Sequence, residues 1–180
     1  MPNLFTPAKL KKFKVAVSSC LVGNAVRYDG QHKRHSLIVD MLEKYFEPVV
    51  VCPEMHAGLG TPRPPVQLVQ IGESVIAQGV EDKNLNVTAL IEKVAVEFIA
   101  QYPDLSGIIL QSRSPSCGYA STPLFTESNE TIGFSSGIFT NSISMAYPGL
   151  PIKEDTWFVD KTAVENYVEQ VWNFANSKKY

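Results

Sequence analysis

Three short, mostly apolar runs constrain this 180-residue chain more than any other feature: FKVAVS (13–18), VVV (49–51) and GIILQ (107–111). Each is too short for a buried helix, and none shows the polar/apolar alternation of a strand with one wet face. Strands buried on both faces read this way, and they belong to parallel sheets covered by helices. Helical spacing fills the stretches between and after them. Leu37, Ile38, Met41, Leu42 and Tyr45 recur in HSLIVDMLEKYF (35–46), which Pro48 closes. Leu90, Ile91, Val94 and Phe98 form one stripe in ALIEKVAVEFIAQY (89–102), with Asn86 or Thr88 placed to cap it and Pro103 to stop it. Val164, Tyr167, Val168, Val171 and Trp172 share one side of 160–177 and read as core packing. The alternation predicts an α/β fold, a largely parallel central sheet flanked by helices in a Rossmann-like three-layer sandwich. Residues 1–12 read as a flexible lead-in and 13–180 as a single domain ending in the long helix.

Between these elements lie broken stretches. VQLVQIG and ESVIAQG suggest a hairpin across Gly72 and Glu73. GFSSGIFTNSISMAYPG is bounded by glycines and has a helical centre. CPEMHAGLGTPRPP (52–65) is too rich in proline and glycine for a regular element, and long loops of this kind often carry function.

The three cysteines follow the three strands. Cys20 comes just after FKVAVS, Cys52 directly after VVV, and Cys117 six residues after GIILQ, in SRSPSCG. Parallel strands deliver their carboxyl ends to one rim, where α/β proteins bind ligands. If the strands are neighbours, three thiols distant in sequence meet at one edge. The opening MPNLFTPAKLKKFKV has no apolar core of a secretory signal, so a cytoplasmic setting is expected; there an odd cysteine count favours metal binding or catalysis over disulfides. A closed zinc site would recruit His32, His35 or His56 as its fourth ligand. An iron–sulfur cluster held by three cysteines would instead leave one iron open to a substrate atom.

Other residues near these thiols carry chemistry. Glu54 sits two residues after Cys52, held at a fixed offset by Pro53, and suits proton transfer beside a metal. Ser112, Ser114 and Ser116 place hydroxyls next to Cys117, where they either face a ligand or bond their own turn. Arg27 and Arg63 offer guanidinium groups for an anionic substrate. A net charge of −2 argues against a phosphate-coating protein, and no run is long enough to span a bilayer.

Taken in order, VSSCLVGNAVRYDG, VCPEMHAGLGTPRPP and SRSPSCG resemble the three motifs of the DUF523 family, whose characterised members are thiouracil desulfidases. The resemblance covers residues 13 to 152; AGLGTPRPP and YPGLPIKED are most similar to the branch often fused to a DUF1722 domain. It implies a [4Fe-4S] cluster on Cys20, Cys52 and Cys117, with Glu54 and Ser114 handling water and protons. Arg27, Arg63 and Ser116 are then the expected substrate contacts. The implied reaction replaces the sulfur of a thiolated pyrimidine (a thiouracil or thiouridine base, nucleoside or nucleotide) with oxygen from water and releases hydrogen sulfide. Thiolated RNA is a less expected substrate, and a non-enzymatic iron–sulfur sensor and a zinc-stabilised interaction domain remain the alternatives. The chain departs from the family pattern at Ala57, Gln67, Asn86 and Gln111, of which Gln67 and Gln111 stand where the family often has a glutamate and a lysine.

Overall fold

The computed structural model describes residues 12–177. Of the expected lead-in, residues 1–11 lie outside the described part. Strands β1 (Phe13–Ser18), β2 (Phe46–Val51), β5 (Gly107–Leu110) and β8 (Ile152–Glu154) form one all-parallel sheet in the order β2-β1-β5-β8. The expected parallel sheet is therefore present, and the three cysteine-bearing connections leave three adjacent strands. Alternation along β1 sorts the core into two layers. Val15 and Val17 face α1 (Ser36–Tyr45) and α5 (Lys161–Ser177), meeting Ile38, Met41, Tyr167 and Val171. Ala16 faces the other way, toward α3 (Thr88–Gln101) and α4 (Ile138–Ala146), among Ile91, Val94, Phe98 and Phe139. The close approach of α5 depends on Gly107, where a Cβ would sit 2.6 Å from the Tyr167 hydroxyl.

A second sheet, β4-β3-β6-β7, joins β3 (Val66–Ile71), β4 (Ser74–Gly79), β6 (Thr122–Phe125) and β7 (Thr131–Ser135). The expected hairpin is β3–β4, antiparallel from Val66↔Gly79 to Ile71↔Ser74. Leu68, Ala77 and Leu124 turn its inner face onto the α3/α4 core.

Several expectations are corrected. The stripe of α3 runs through Ile91, Val94, Ala95 and Phe98, and Leu90 is exposed. On α5 Tyr167, Val168 and Val171 are buried as expected, while Trp172 faces solvent. Neither Asn86 nor Thr88 is the cap residue of α3, which is Val87 without a side-chain cap. Asn86 Oδ1 accepts the Thr88 N–H, and Thr88 Oγ1 accepts the Ala77 N–H, tying the helix start to β4. The helix before Pro48 ends at Tyr45, and the proline lies inside β2, an edge strand where a missing N–H is tolerated. The stretch taken as irregular begins with one helical turn, α2 (Pro53–His56), with Pro53 at its first position, where proline costs no hydrogen bond.

Candidate active site

The carboxyl ends of β1, β2 and β5 open onto a cavity of about 510 Å³ lined by Cys20, Cys52 and Cys117 together with Glu54, Ser114 and Arg63. All three thiols are free, and all three line this one cavity. Cys20 sits in a turn of 3-10 helix that leaves β1 and ends at Gly23, whose φ of 104° suits only glycine. Cys52 precedes α2, which turns Glu54 back toward the same space.

Cys117 is held by the N-terminus of α4. The N–H groups of Gly137, Ile138, Phe139 and Thr140 donate to the carbonyls of Gly118, Pro115 and Ser116. These are the donors a helix start leaves unpaired, and a loop satisfies them here in place of a cap side chain. The fully buried Thr140 adds its hydroxyl, donating to the Cys117 carbonyl at 2.7 Å. The approach is close enough that a Cβ on Gly137 would lie 2.4 Å from the Ser116 carbonyl carbon. At the other end of the loop Asp155 Oδ1 accepts the Ser112 N–H, while Glu154 Oε1 accepts from the Tyr119 N–H and the Ser121 hydroxyl.

Glu54 is clamped from two sides. Its Oε2 accepts from Nε and Nη2 of Arg63 at 2.5 Å, and its Oε1 accepts the Ser116 hydroxyl at 2.7 Å. Oε2 is thereby filled, whereas Oε1 keeps acceptor capacity for a water or substrate proton. Arg63 also donates through Nη1 to the carbonyls of Val26 and Gly60. Its guanidinium is thus engaged by protein partners on three of its nitrogens. Ser116 is likewise fully buried behind Glu54. Ser114 lines the cavity, with its Oγ accepting the N–H groups of Ser116 and Cys117, which leaves its hydroxyl proton to point elsewhere. Arg27 reaches the cavity wall and pairs with Asp29 at 3.4 Å; Lys33 and Arg113 add positive charge along the same lining.

Burial raises all three thiols above the ordinary thiol range. Cys20 is pushed up to about 11, helped by the neighbouring Cys52, and Cys117 rises well above that range in its fully enclosed position. Cys52 moves the same way for the same reason. Without a metal all three are protonated and poorly nucleophilic at neutral pH, and a metal that binds them must displace their protons.

The donor set can be tested against the groups the sequence suggests. None of the three histidines is among the residues lining the cavity. Among the described residues, no three Cys, His, Asp or Glu side chains converge tightly enough to hold one metal ion. That spread argues against a closed zinc site. A cluster asks for a wider donor set than one ion, since each thiolate binds its own iron. Three soft donors facing one roomy cavity fit such a group.

Three residues near this site had no site role assigned from sequence, though Gln111 was noted as a departure from the family pattern. Ser18, Gln111 and Thr140 are buried polar residues at the ends of apolar elements, and polarity in a buried run was the signal available. Of the four departures from the family pattern, Gln111 alone reaches a cysteine, with Cys20 Sγ donating to its Oε1 at 3.7 Å. Gln67 bonds Asn129 on the outside, and Ala57 packs against the α3/α4 core.

An α/β protein whose parallel strands end in three free thiols, beside a clamped carboxylate, is the class this geometry defines. The family model of the 2-thiouracil desulfurases matches residues 15–155, and the chain belongs to that family. A solved structure of the [4Fe-4S]-dependent thiouracil desulfidase TudS superposes with a TM-score of 0.62 at 26% identity, covering 82% of this chain and 93% of that one. The uncharacterized protein YbbK of Bacillus subtilis (strain 168) is 34% identical over 110 residues, 58% of this chain and 72% of its own.

Proposed function

We propose that the protein is a desulfidase that exchanges the sulfur of a thiolated pyrimidine for oxygen from water, with Cys20, Cys52 and Cys117 holding a [4Fe-4S] cluster. The observation that carries this reading is the meeting of three free thiols and Glu54 around one cavity. When bound, a cluster with three protein ligands supplies a Lewis-acidic iron with affinity for a soft sulfur atom. The reaction balances without an electron donor: C=S and water become C=O and hydrogen sulfide.

The chain's own residues supply positioning and proton transfer. Glu54, fixed by Arg63 and Ser116, accepts a proton from the attacking water and returns it to the departing sulfur. Arg63 keeps that carboxylate aimed, and Ser116 holds its other oxygen. The Ser114 hydroxyl, its oxygen already accepting two backbone N–H groups, is free to donate to the ring oxygen or to the water. Arg27, Lys33 and Arg113 make the lining positive, which suits a nucleotide as well as the free base. Residues 13–180 act as one unit in this reading. No described helix is long and apolar enough to cross a membrane, and a cluster with an open iron suits the reducing cytoplasm.

Anaerobic reconstitution with iron and sulfide should give a brown protein absorbing near roughly 400 nm. It should then release sulfide from 2-thiouracil or 4-thiouridine monophosphate. Glu54→Gln should keep its iron and lose about 10²-fold or more in rate. A sensor built on the same cysteines would be indifferent to that substitution. A loaded protein that releases no sulfide from any thiopyrimidine would sink the proposal.

A further inference from the structure

Among the described residues that line the cavity of Cys20, Cys52 and Cys117, Tyr28 is the one aromatic. The rest of the apolar lining is aliphatic, Val26, Pro53, Pro65 and Val66 among it, and offers no flat π-face. Tyr28 is also 45% exposed. Solitary exposed aromatics are common on surfaces, so exposure by itself decides nothing. What sets this one apart is how it is held. Its carbonyl accepts the Arg63 N–H at 2.9 Å, and the preceding carbonyl, of Arg27, accepts both the Gly30 N–H and the Thr61 hydroxyl. The Arg27 guanidinium lies over the ring, 5.8 Å from its centroid, within reach of a cation–π contact. Arg63 in turn holds Glu54. An exposed ring is thus tied, through two consecutive carbonyls, to the segment that fixes the carboxylate, and ring and carboxylate line one space.

Aromatic rings attract one another in offset or edge-to-face stacks, and every nucleobase has a π-face to offer. We propose that Tyr28 is the stacking platform of the site: it binds the face of the pyrimidine and selects planar rings over puckered ones that carry the same polar groups. This rests on the desulfidase reading and narrows its substrate class to flat, aromatic thiocarbonyl heterocycles. Hydrogen-bonding side chains read the edge of a ring, where planar and puckered rings look alike. A π-face reads planarity, because saturated ring carbons carry hydrogens out of the plane that hold a partner ring away. Uracil and dihydrouracil display the same two carbonyls and two N–H groups and differ in that saturation alone.

The test measures the affinities of uracil and dihydrouracil, neither of which has a sulfur to lose, for the iron-loaded protein by anaerobic calorimetry. Wild type should bind uracil roughly fivefold or more tighter than dihydrouracil. Tyr28→Phe should keep that preference, since the face is unchanged. Tyr28→Leu and Tyr28→Ala should lose it, chiefly through weaker binding of uracil, with iron content as in wild type. In turnover of 2-thiouracil the same two variants should raise KM by a similar factor and move kcat by less than about twofold, the pattern of an interaction made equally in ground and transition states. A preference that survives Tyr28→Leu overturns the stacking role. So does a fall in kcat with KM unmoved, which would make Tyr28 only a support for Arg63 and Glu54. Wild type that desulfidates 2-thiouracil yet shows no preference between the two rings overturns the role of Tyr28 alone. Iron-loaded wild type that binds neither ring and releases no sulfide from any thiopyrimidine overturns the desulfidase reading with it, so the two failures are distinguishable.

Discussion

Two of the loops that wall the cavity are held in different ways. The loop after β5 is pinned from outside itself at nearly every residue: by the N-terminus of α4, by Thr140, and by the carboxylates of Glu154 and Asp155. The loop after Cys20 bonds mostly to itself, through Arg27 N–H to the Gln31 carbonyl, Gly30 N–H to the Arg27 carbonyl and Gln31 N–H to Asp29. Its ties to the rest of the site run through the 60–63 segment, from the Thr61 hydroxyl to the Arg27 carbonyl and from Arg63 to Tyr28 and Val26. The first wall holds Cys117 and Ser114 as part of the core. The second, with the exposed Tyr28 and the half-exposed Arg27, is the side able to adjust to a ligand. In the proposed reading Cys117 and Ser114 belong to the fixed wall and substrate selectivity to the adaptable one.

The sharpest way to break this comparison is Arg63→Ala, since one side chain both clamps Glu54 and anchors the adaptable wall. The ion pair is nearly buried, with side-chain exposures of 7% and 12%. Removing one partner leaves Glu54 as an enclosed, uncompensated charge, at a cost of about 3–5 kcal/mol in urea unfolding. Desulfidation should fall with it. If the unfolding free energy barely changes, the second wall is anchored elsewhere and the distinction between the two fails.

How much of this the sequence discloses follows the physics. Strands β1 and β5 were legible because burial on both faces needs unbroken apolar runs. VVV gave β2 its place, although β2 is an edge strand that leaves Val50 exposed. Helices α1, α3 and α5 were legible because one-sided burial imposes helical spacing. The cysteines were legible as a group because each follows such a strand. Strands β6 and β7 were not, since TPLF and TIGFS have no continuous apolar run and gain their form from pairing with one another and with β3. The three residues of β8 are a strand only by virtue of lying beside β5. The same holds within the site. That Glu54 faces the cavity could be expected from Pro53, but its capture by Arg63 and Ser116 joins positions nine and 62 residues away, and no local pattern encodes that. Arg63 and Ser116 were expected to touch substrate for their chemistry. In the fold both hold Glu54.

A smaller effect tests the fixed wall. Thr140→Val keeps the shape of the side chain and removes the proton donated to the Cys117 carbonyl, leaving that buried acceptor unpaired. The expected loss is about 1–3 kcal/mol in the same unfolding experiment. Backbone donors from α4 continue to grip Ser116 and Gly118, so the helix still caps the loop. The readout that sharpens the comparison is hydrogen exchange at residues 114–118, which should quicken while residues 24–31 stay as they were. Quickening in both loops together would mean that they open as one unit.

The smallest effect belongs to Arg27→Ala. Its pair with Asp29 is partly exposed, with side-chain exposures of 23% and 29%, and the bond is long at 3.4 Å. Pairs of this kind contribute at most about 1 kcal/mol, so stability should scarcely move. Binding separates the possibilities more finely. A guanidinium released from Asp29 to a phosphate would gain a charge-assisted hydrogen bond of about 1.5–3 kcal/mol, and its loss should raise KM for a thiolated nucleotide roughly tenfold or more. KM for the free thiopyrimidine, which has no phosphate, should stay within about twofold on the same reasoning. An equal rise for both would place Arg27 against the ring rather than the phosphate, and a rise in neither would move selectivity off this wall, to Lys33 or Arg113 on the remaining lining.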